Sequence, residues 1–305
     1  MEASRMTHTT AAAAPALAHS RVRQVAADYF TLTKPKVQSL LLLTTVTTMY
    51  VAGDPSLGLL ALTCLGGYLS AGGAGAVNHF WDRDIDAQMA RTASRPVPSG
   101  RVSPRAALTF GLLLAAASFA LLTLTVNVLA ASLALSGFLG YVFVYTAWLK
   151  RTTPQNIVIG GAAGAVPPLV GWAAVTGGLD PTALYLFAIV FYWTPPHFWA
   201  LSLLMKDEYA RVGVPMMPVA RGEVETRRQI VLYTVLLVVL TLLPFVFGMF
   251  GVLYAAVAGL LGGAFLWRAV RLQRSAERRD ALRTYLFSLA YLAALFCAMV
   301  ADVQL

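Results

Sequence analysis

Nine runs of roughly twenty mostly apolar residues leave this chain few ways to fold. They cover about 37–53, 57–78, 105–125, 128–148, 155–176, 182–204, 229–247, 251–268 and 284–302. A helix needs about 20 such residues to cross the hydrocarbon core of a bilayer. Lipid offers no water to backbone N–H and C=O groups, so each run must satisfy its own hydrogen bonds as a helix. A transmembrane barrel would show alternating apolar and polar residues, and these runs are continuous. Only 12% of the 305 residues are charged and 58% are hydrophobic, whereas soluble domains carry about 25% charged residues. A soluble globule, a disordered chain and a disulfide scaffold are thereby excluded. Cys64 and Cys297 lie in apolar runs and read as small core residues. The expected fold is an all-α polytopic membrane protein with nine transmembrane helices.

The net charge of +9 reports topology. All 23 Lys and Arg fall in the N-terminal tail, in the loops after spans 2, 4, 6 and 8, or at the span ends beside them. The remaining loops and the C-terminus carry only Asp54, Asp180 and Asp302. The positive-inside rule then places the N-terminus in the cytoplasm and the C-terminus outside. Positive charge confined to one membrane face argues against a nucleic-acid partner; the bilayer is the partner it fits. Residues 1–30 are Ala-rich, lack the apolar core of a secretory signal and read as a flexible cytoplasmic tail before a single domain at 31–305. The tail is short for a presequence. The expected location is therefore a bacterial plasma (inner) membrane rather than a mitochondrial one, with multiple passes.

Polar chemistry concentrates in two cytoplasmic loops. The first holds Asn78, His79, Asp82, Asp84 and Asp86, then Arg91, Arg95 and Gly100. Asn78, Asp82 and Asp86 are four apart, so a helix continuing from span 2 points all three from one face. Like charges at that spacing repel, and a divalent cation relieves the repulsion. Mg2+ prefers oxygen ligands and is commonly held by one or two carboxylates plus a substrate phosphate. Arg91 and Arg95 follow within reach of a bound anion, and guanidinium forks suit phosphate oxygens. The second loop reads Lys206, Asp207, Glu208, Tyr209 and Arg211, after a span containing Trp193, Pro195, Pro196, His197 and Trp199. Paired prolines inside a span free carbonyls, which is tolerated where the helix lines a cavity. Two spans ending in acid–base loops suggest quasi-repeats around a shared cavity. Lys150 and Arg151 close span 4 and read either as a topology anchor or as a second clamp on diphosphate. His79 and His197 adjoin the acidic loops as either interface histidines or haem contacts.

The run Asn78, Asp82, Asp86, Arg91-Thr92, Arg95 and Gly100 resembles the signature of the UbiA-type intramembrane prenyltransferase superfamily. Tyr145 to Ala165, Trp193 to Trp199 and Asp207 to Pro218 are similar to the branch that farnesylates protohaem IX. The resemblance covers about residues 30–300. It implies a helical bundle around a central cavity and transfer of farnesyl from farnesyl diphosphate to a protohaem vinyl group, giving haem O and diphosphate with Mg2+ as cofactor. It further implies Asp82, Asp86 and Asp207 as metal ligands and Arg91 and Arg95 beside them in catalysis. Asn78, Lys150, Arg151, Lys206, Arg211, Tyr209, His197, Trp193 and His79 would bind substrate. The second loop departs from the superfamily pattern of two Asp four apart by offering adjacent Asp207 and Glu208, and Asp207 is taken first. Expected partners are the two substrates, the lipid bilayer, and haem A synthase or terminal-oxidase assembly. A quinone precursor such as 4-hydroxybenzoate, or chlorophyllide, is the alternative acceptor. A secondary transporter would instead bury its acids at mid-span.

Overall fold

The computed structural model describes residues 13–305, with side chains from Arg21 onward. The chain runs as α1 (Ala13–Leu32), α2 (Pro35–Ala52), α3 (Leu57–Trp81), short α4 (Arg83–Gln88), α5 (Pro104–Thr125), α6 (Val128–Thr152) and α7 (Asn156–Thr176). It continues as α8 (Pro181–Leu204), short α9 (Lys206–Arg211) and α10 (Met217–Ala220), then α11 (Gly222–Val246), α12 (Val252–Ser275) and α13 (Arg278–Gln304). No strand occurs among the described residues. Helices α3, α5, α6, α7, α11, α12 and α13 are long and apolar enough to cross a membrane, and the chain is a multi-pass membrane protein. The other two expected spans are also helical. Lys36, Gln38 and four threonines dilute the hydropathy of α2, and prolines, a histidine and tyrosines dilute that of α8.

Residues 1–12 of the expected tail lie outside the described residues. The rest of it is α1, whose Asp28 accepts a hydrogen bond from Arg101 Nε at 3.0 Å and whose Tyr29 packs edge-on against Phe110 at 4.9 Å. Helices also extend past the apolar runs, almost always toward the basic loops: α3 to Trp81, α11 back to Gly222, α12 on to Ser275 and α13 back to Arg278. Hydrogen bonding continues where the lipid ends, and Arg and Glu are good helix formers in those turns.

At the opposite ends the caps are local. Ser56 accepts from Leu59 N–H, Asn127 from Ala130 N–H and Asp180 from Ala183 N–H, each satisfying a donor the helix leaves free. The two proline pairs differ. Pro195 and Pro196 sit inside an unbroken α8, whereas α7 breaks at Ala165 and restarts with Pro167 in its new first turn, where a missing N–H costs nothing.

Each long helix packs on its chain neighbour and α13 returns to α2, closing a ring; α2–α7 and α8–α13 contacts cross it. The pairing of α3 with α5 is the most extensive. Several buried threonines return their hydroxyls to the previous turn, as Thr47 does to Leu43 O at 2.7 Å and Thr234 to Ile230 O at 2.7 Å, and so enter the interior satisfied; Thr48 and Thr63 are buried without a hydroxyl partner. Leu113, Leu124, Trp148 and Leu260 point outward. So does Cys297, which was expected in the core.

Candidate functional site

At the charged end of the ring, α3 meets α4 without losing the helical register. Asp82 N–H donates to Asn78 O at 2.9 Å and Asp86 N–H to Asp82 O at 2.7 Å. Asn78, Asp82 and Asp86 therefore follow one another up one face, all nearly inaccessible at 4%, 1% and 3%. Such burial of two carboxylates demands cations. Lys150 Nζ pairs with Asp82 Oδ2, and Asn78 Nδ2 donates to the same oxygen at 2.7 Å. Arg95 donates to Asp86 Oδ2 at 2.8 Å, while Thr92 Oγ1 donates to Asp86 O at 2.9 Å and fixes the loop. Lys34, between α1 and α2, extends Nζ to Asn78 Oδ1 at 2.5 Å and to Tyr141 OH at 3.4 Å. Lys34 holds a left-handed backbone, φ 55°. A non-glycine residue there costs of order 1–3 kcal/mol, and such strain concentrates at functional sites.

Helix α6 reaches this cluster through a π-helical stretch, Gly140–Leu149. Widening to i→i+5 bonds brings Tyr141, Tyr145 and Thr146 toward a common side, and such stretches recur at functional sites. Thr146 Oγ1 accepts from Asn78 Nδ2 at 3.2 Å, and Tyr141 meets Lys34. From there an apolar groove of about 190 Å³ runs between α2, α3, α6 and α7, lined by Gln38, Leu41, Thr45, Ala134 and Phe138. Lys34 to Thr45 spans eleven helical steps, about 16 Å. Close approach shuts the far end: a Cβ on Gly171 would lie 2.6 Å from Thr45 O.

The two acidic loops share a core. Ile85 and Met89 pack with Tyr209, Val214, Met216 and Met217, and Tyr209 lies close enough to Arg91, Arg95 and Asp82 to feel their charge. The packing joins the two loops, although no residue of the second loop lines the apolar groove. The expected trio Asp82, Asp86 and Asp207 does not form: the described residues contain no cluster of three His, Cys, Asp or Glu side chains able to hold a metal. Asp207 is exposed on α9, while its neighbour Glu208 is half-buried with Oε2 sealed and unpartnered. Burying Tyr209 turns Glu208 partly inward and leaves Asp207 in water.

The other expected residues divide. Arg91 is exposed with no acidic partner among the described residues, which leaves its charge available. Arg151 grips Asp84 with both terminal nitrogens, at 2.8 and 2.7 Å, and donates to Trp81 O at 3.0 Å; that fork holds the Asp84 carboxyl down at about 2. Arg151 thus straps α6 to α4 more than it faces the cavity. Lys206 pairs with Glu223 at 3.0 Å, joining α9 to α11, and Arg211 is exposed. Tyr209 is buried, which raises its hydroxyl pKa. His79 is 1% exposed with Nδ1 unpartnered. His197 stacks on Trp193 at 4.2 Å, and Trp193 Nε1 donates to Ser288 O at 2.8 Å. Sequence reasoning missed Lys34, Tyr141 and Thr146 as site residues. The Lys34-Pro35 pair at a span edge was the only visible signal.

The donor set suits Mg2+. Asp82 Oδ1 is buried without a hydrogen-bond donor, with an Arg151 guanidinium nitrogen 3.5 Å away. An orphaned carboxylate oxygen beside Asp86 is the hard-oxygen environment that this cation favours, and one or two carboxylates are enough when phosphate supplies the rest.

The sequence profile of the UbiA prenyltransferase family matches residues 41–295. The chain is 56% identical over 277 residues to a protoheme IX farnesyltransferase of Roseiflexus sp., covering 90% of this chain and 52% of that one. It spans about half the length of the first curated relatives it matches. Relatives of the same name from Symbiobacterium thermophilum and Synechocystis sp. are 53% and 51% identical, with 92% and 93% of this chain covering 95% and 91% of theirs. In fold the chain is similar to a digeranylgeranylglyceryl phosphate synthase (TM-score 0.76, 18% identity, 92% of this chain and 100% of that one). It is also similar to a UbiA homolog from Archaeoglobus fulgidus bound to DMAPP and Mg2+ (TM-score 0.70, 18% identity, 89% and 99%).

Proposed function

Because the chain belongs to the UbiA prenyltransferase family, we propose that it transfers a farnesyl group from farnesyl diphosphate to a vinyl group of protohaem IX. The observation that carries this reading is the meeting of the buried Asn78–Asp82–Asp86 face with an apolar groove at Lys34 and Tyr141. An amphiphile with a doubly charged head and a long apolar tail fits that junction. The names of the relatives, all farnesyltransferases acting on protoheme, support the acceptor.

Asp82 and Asp86 would hold Mg2+, two carboxylates being enough when phosphate supplies the rest. The cation supplies Lewis-acid stabilisation of the leaving diphosphate. Lys34, Lys150, Arg91 and Arg95 place positive charge where the departing head gathers negative charge, a preorganised electrostatic contribution. The farnesyl C1–O bond breaks and its electron pair leaves with diphosphate. The groove walls exclude water around the allylic cation. The terminal vinyl carbon then bonds to C1, and water adds at the neighbouring carbon with loss of a proton, giving the hydroxyethylfarnesyl substituent. We also place nine crossings in a bacterial inner membrane, with the carboxylate mouth and N-terminus cytoplasmic. Every Lys and Arg of the sequence falls in the N-terminal tail, the loops after spans 2, 4, 6 and 8 or the span ends beside them, which the positive-inside rule reads as the cytoplasmic side. Delivery of the product to haem A synthase or a terminal oxidase is part of the same proposal, tested by co-purification.

The test is a purified sample in lipid nanodiscs given farnesyl diphosphate, Mg2+ and either haem B or 4-hydroxybenzoate. Haem should gain the mass of one farnesyl group plus water, with 4-hydroxybenzoate untouched. Consumption of the benzoate in place of haem would overturn the acceptor.

Lys34 gives this reaction a pH signature. Burial first, then the Arg95 guanidinium, lowers its ammonium to about 8, against the opposing pull of Asp82 and Asp86. Below that value Lys34 is a cation facing the diphosphate; above it the charge is lost, so affinity falls as pH rises. The Kd of farnesyl diphosphate should therefore increase several-fold between about pH 7 and about pH 9.5. In Lys34→Arg the guanidinium stays charged, and the increase should disappear. Titration curves of the two proteins measured side by side check this.

A further inference from the structure

We propose that His197 ligates the iron of the acceptor haem through Nε2. This rests on the reading of haem as acceptor and adds how the chain holds it. Ser288 Oγ donates its one proton to Tyr285 O at 2.6 Å. A serine hydroxyl has a single hydrogen to give, so its 2.7 Å contact with His197 Nδ1 runs the other way: Nδ1–H donates to Ser288 Oγ. That fixes the tautomer, with the proton on Nδ1 and a bare lone pair on Nε2. Metal-bound histidines commonly show this arrangement, the second ring nitrogen donating to a fixed acceptor that orients the ring and raises its basicity.

The ring cannot easily turn away. Trp193 stacks on it at 4.2 Å and 18°, and Tyr285 lies against it at 5.0 Å. Trp193 is itself anchored to Ser288 O, so α8 and α13 grip the imidazole from both sides. Nε2 forms no hydrogen bond among the described residues and is not sealed, and His197 keeps accessible surface. His79 differs in two respects: it is only 1% exposed, and its Nδ1 is sealed and unpartnered, so no acceptor fixes its ring and almost none of its surface is open to a macrocycle.

Resonance Raman and optical spectra of the full chain in nanodiscs, loaded with ferrous protohaem and no prenyl donor, test this. The unsubstituted protein should show an iron–imidazole stretch. His197→Gly should lose it, and added imidazole should restore it. Ser288→Ala keeps the ligand but removes the acceptor for Nδ1–H. Its stretch should move to lower frequency and its haem affinity fall about tenfold. A His197→Gly spectrum identical to that of the unsubstituted protein would overturn the ligation while leaving farnesyl transfer intact. Should His197→Gly not fold, an unshifted Ser288→Ala stretch overturns it equally. Failure of the unsubstituted protein to take up haem would sink both readings.

Discussion

Asp82→Asn should lower kcat/KM for prenyl transfer by about 10²–10³-fold or more, the range seen when a preorganised charge-stabilising group is removed. Asp82 is 1% exposed, pairs with Lys150 and Asn78, and keeps Oδ1 unpartnered. Asparagine preserves the volume but loses the charge that both Lys150 and a cation require. Lys150 is then left largely buried without its counter-ion, and breaking a buried pair from one side costs about 3–5 kcal/mol. Two controls separate chemistry from folding. Asp84→Asn, two residues away, loses only an exposed pair with Arg151, and exposed pairs contribute about 0–1 kcal/mol, so activity should stay within about twofold. Lys150→Met in the Asp82→Asn background should recover thermal stability without recovering turnover. Full Mg2+-dependent activity in Asp82→Asn would remove the assignment of the carboxylate face.

The second large effect is on stability. Gly73 and Gly111 meet where α3 crosses α5. A Cβ on Gly73 would lie 2.6 Å from Gly111 O, and one on Gly111 would lie 2.7 Å from Gly73 O. Both obstacles are backbone, so neither can rotate aside. Small residues at such crossings let membrane helices pack where no hydrophobic force drives them together. Gly73→Val or Gly111→Val should therefore separate the most extensive helix pair in the molecule, costing about 3 kcal/mol or more. Gly263→Ala, on α12 with open space around it, should instead gain up to about 1 kcal/mol through helix propensity. Thermal unfolding monitored by monodisperse elution from detergent would order the variants. A Gly73→Val protein as stable as the parent would contradict the close crossing.

Much of the site could be read along the chain because its spacing is helical. Asn78, Asp82 and Asp86 share a face for the same reason that any residues four apart do, and the register survives the α3–α4 junction. Lys150 and Arg95 carried charge beside those acids and proved to be their partners. The second loop was harder. Asp207 and Glu208 are adjacent acids with opposite environments, and the choice between them depends on how Tyr209 is buried against Ile85 and Met89, residues more than a hundred positions away.

What the sequence determined by itself is therefore what lipid and local periodicity dictate. Long apolar runs had to become helices because unpaired backbone is intolerable in hydrocarbon, and confinement of Lys and Arg to alternate loops implied one charged end. Tertiary structure decided everything that depends on which helix faces which. It brought Lys34 against Asn78 across 44 positions and Tyr141 against Lys34 across 107, by means of a left-handed residue and a π-helical stretch. It also spent the Ser288 proton on Tyr285 and so left the His197 lone pair bare. The physical reason is that hydrogen-bond direction, burial and close helix approach belong to pairs of groups, and contacts between distant segments have no spacing along the chain from which to be read.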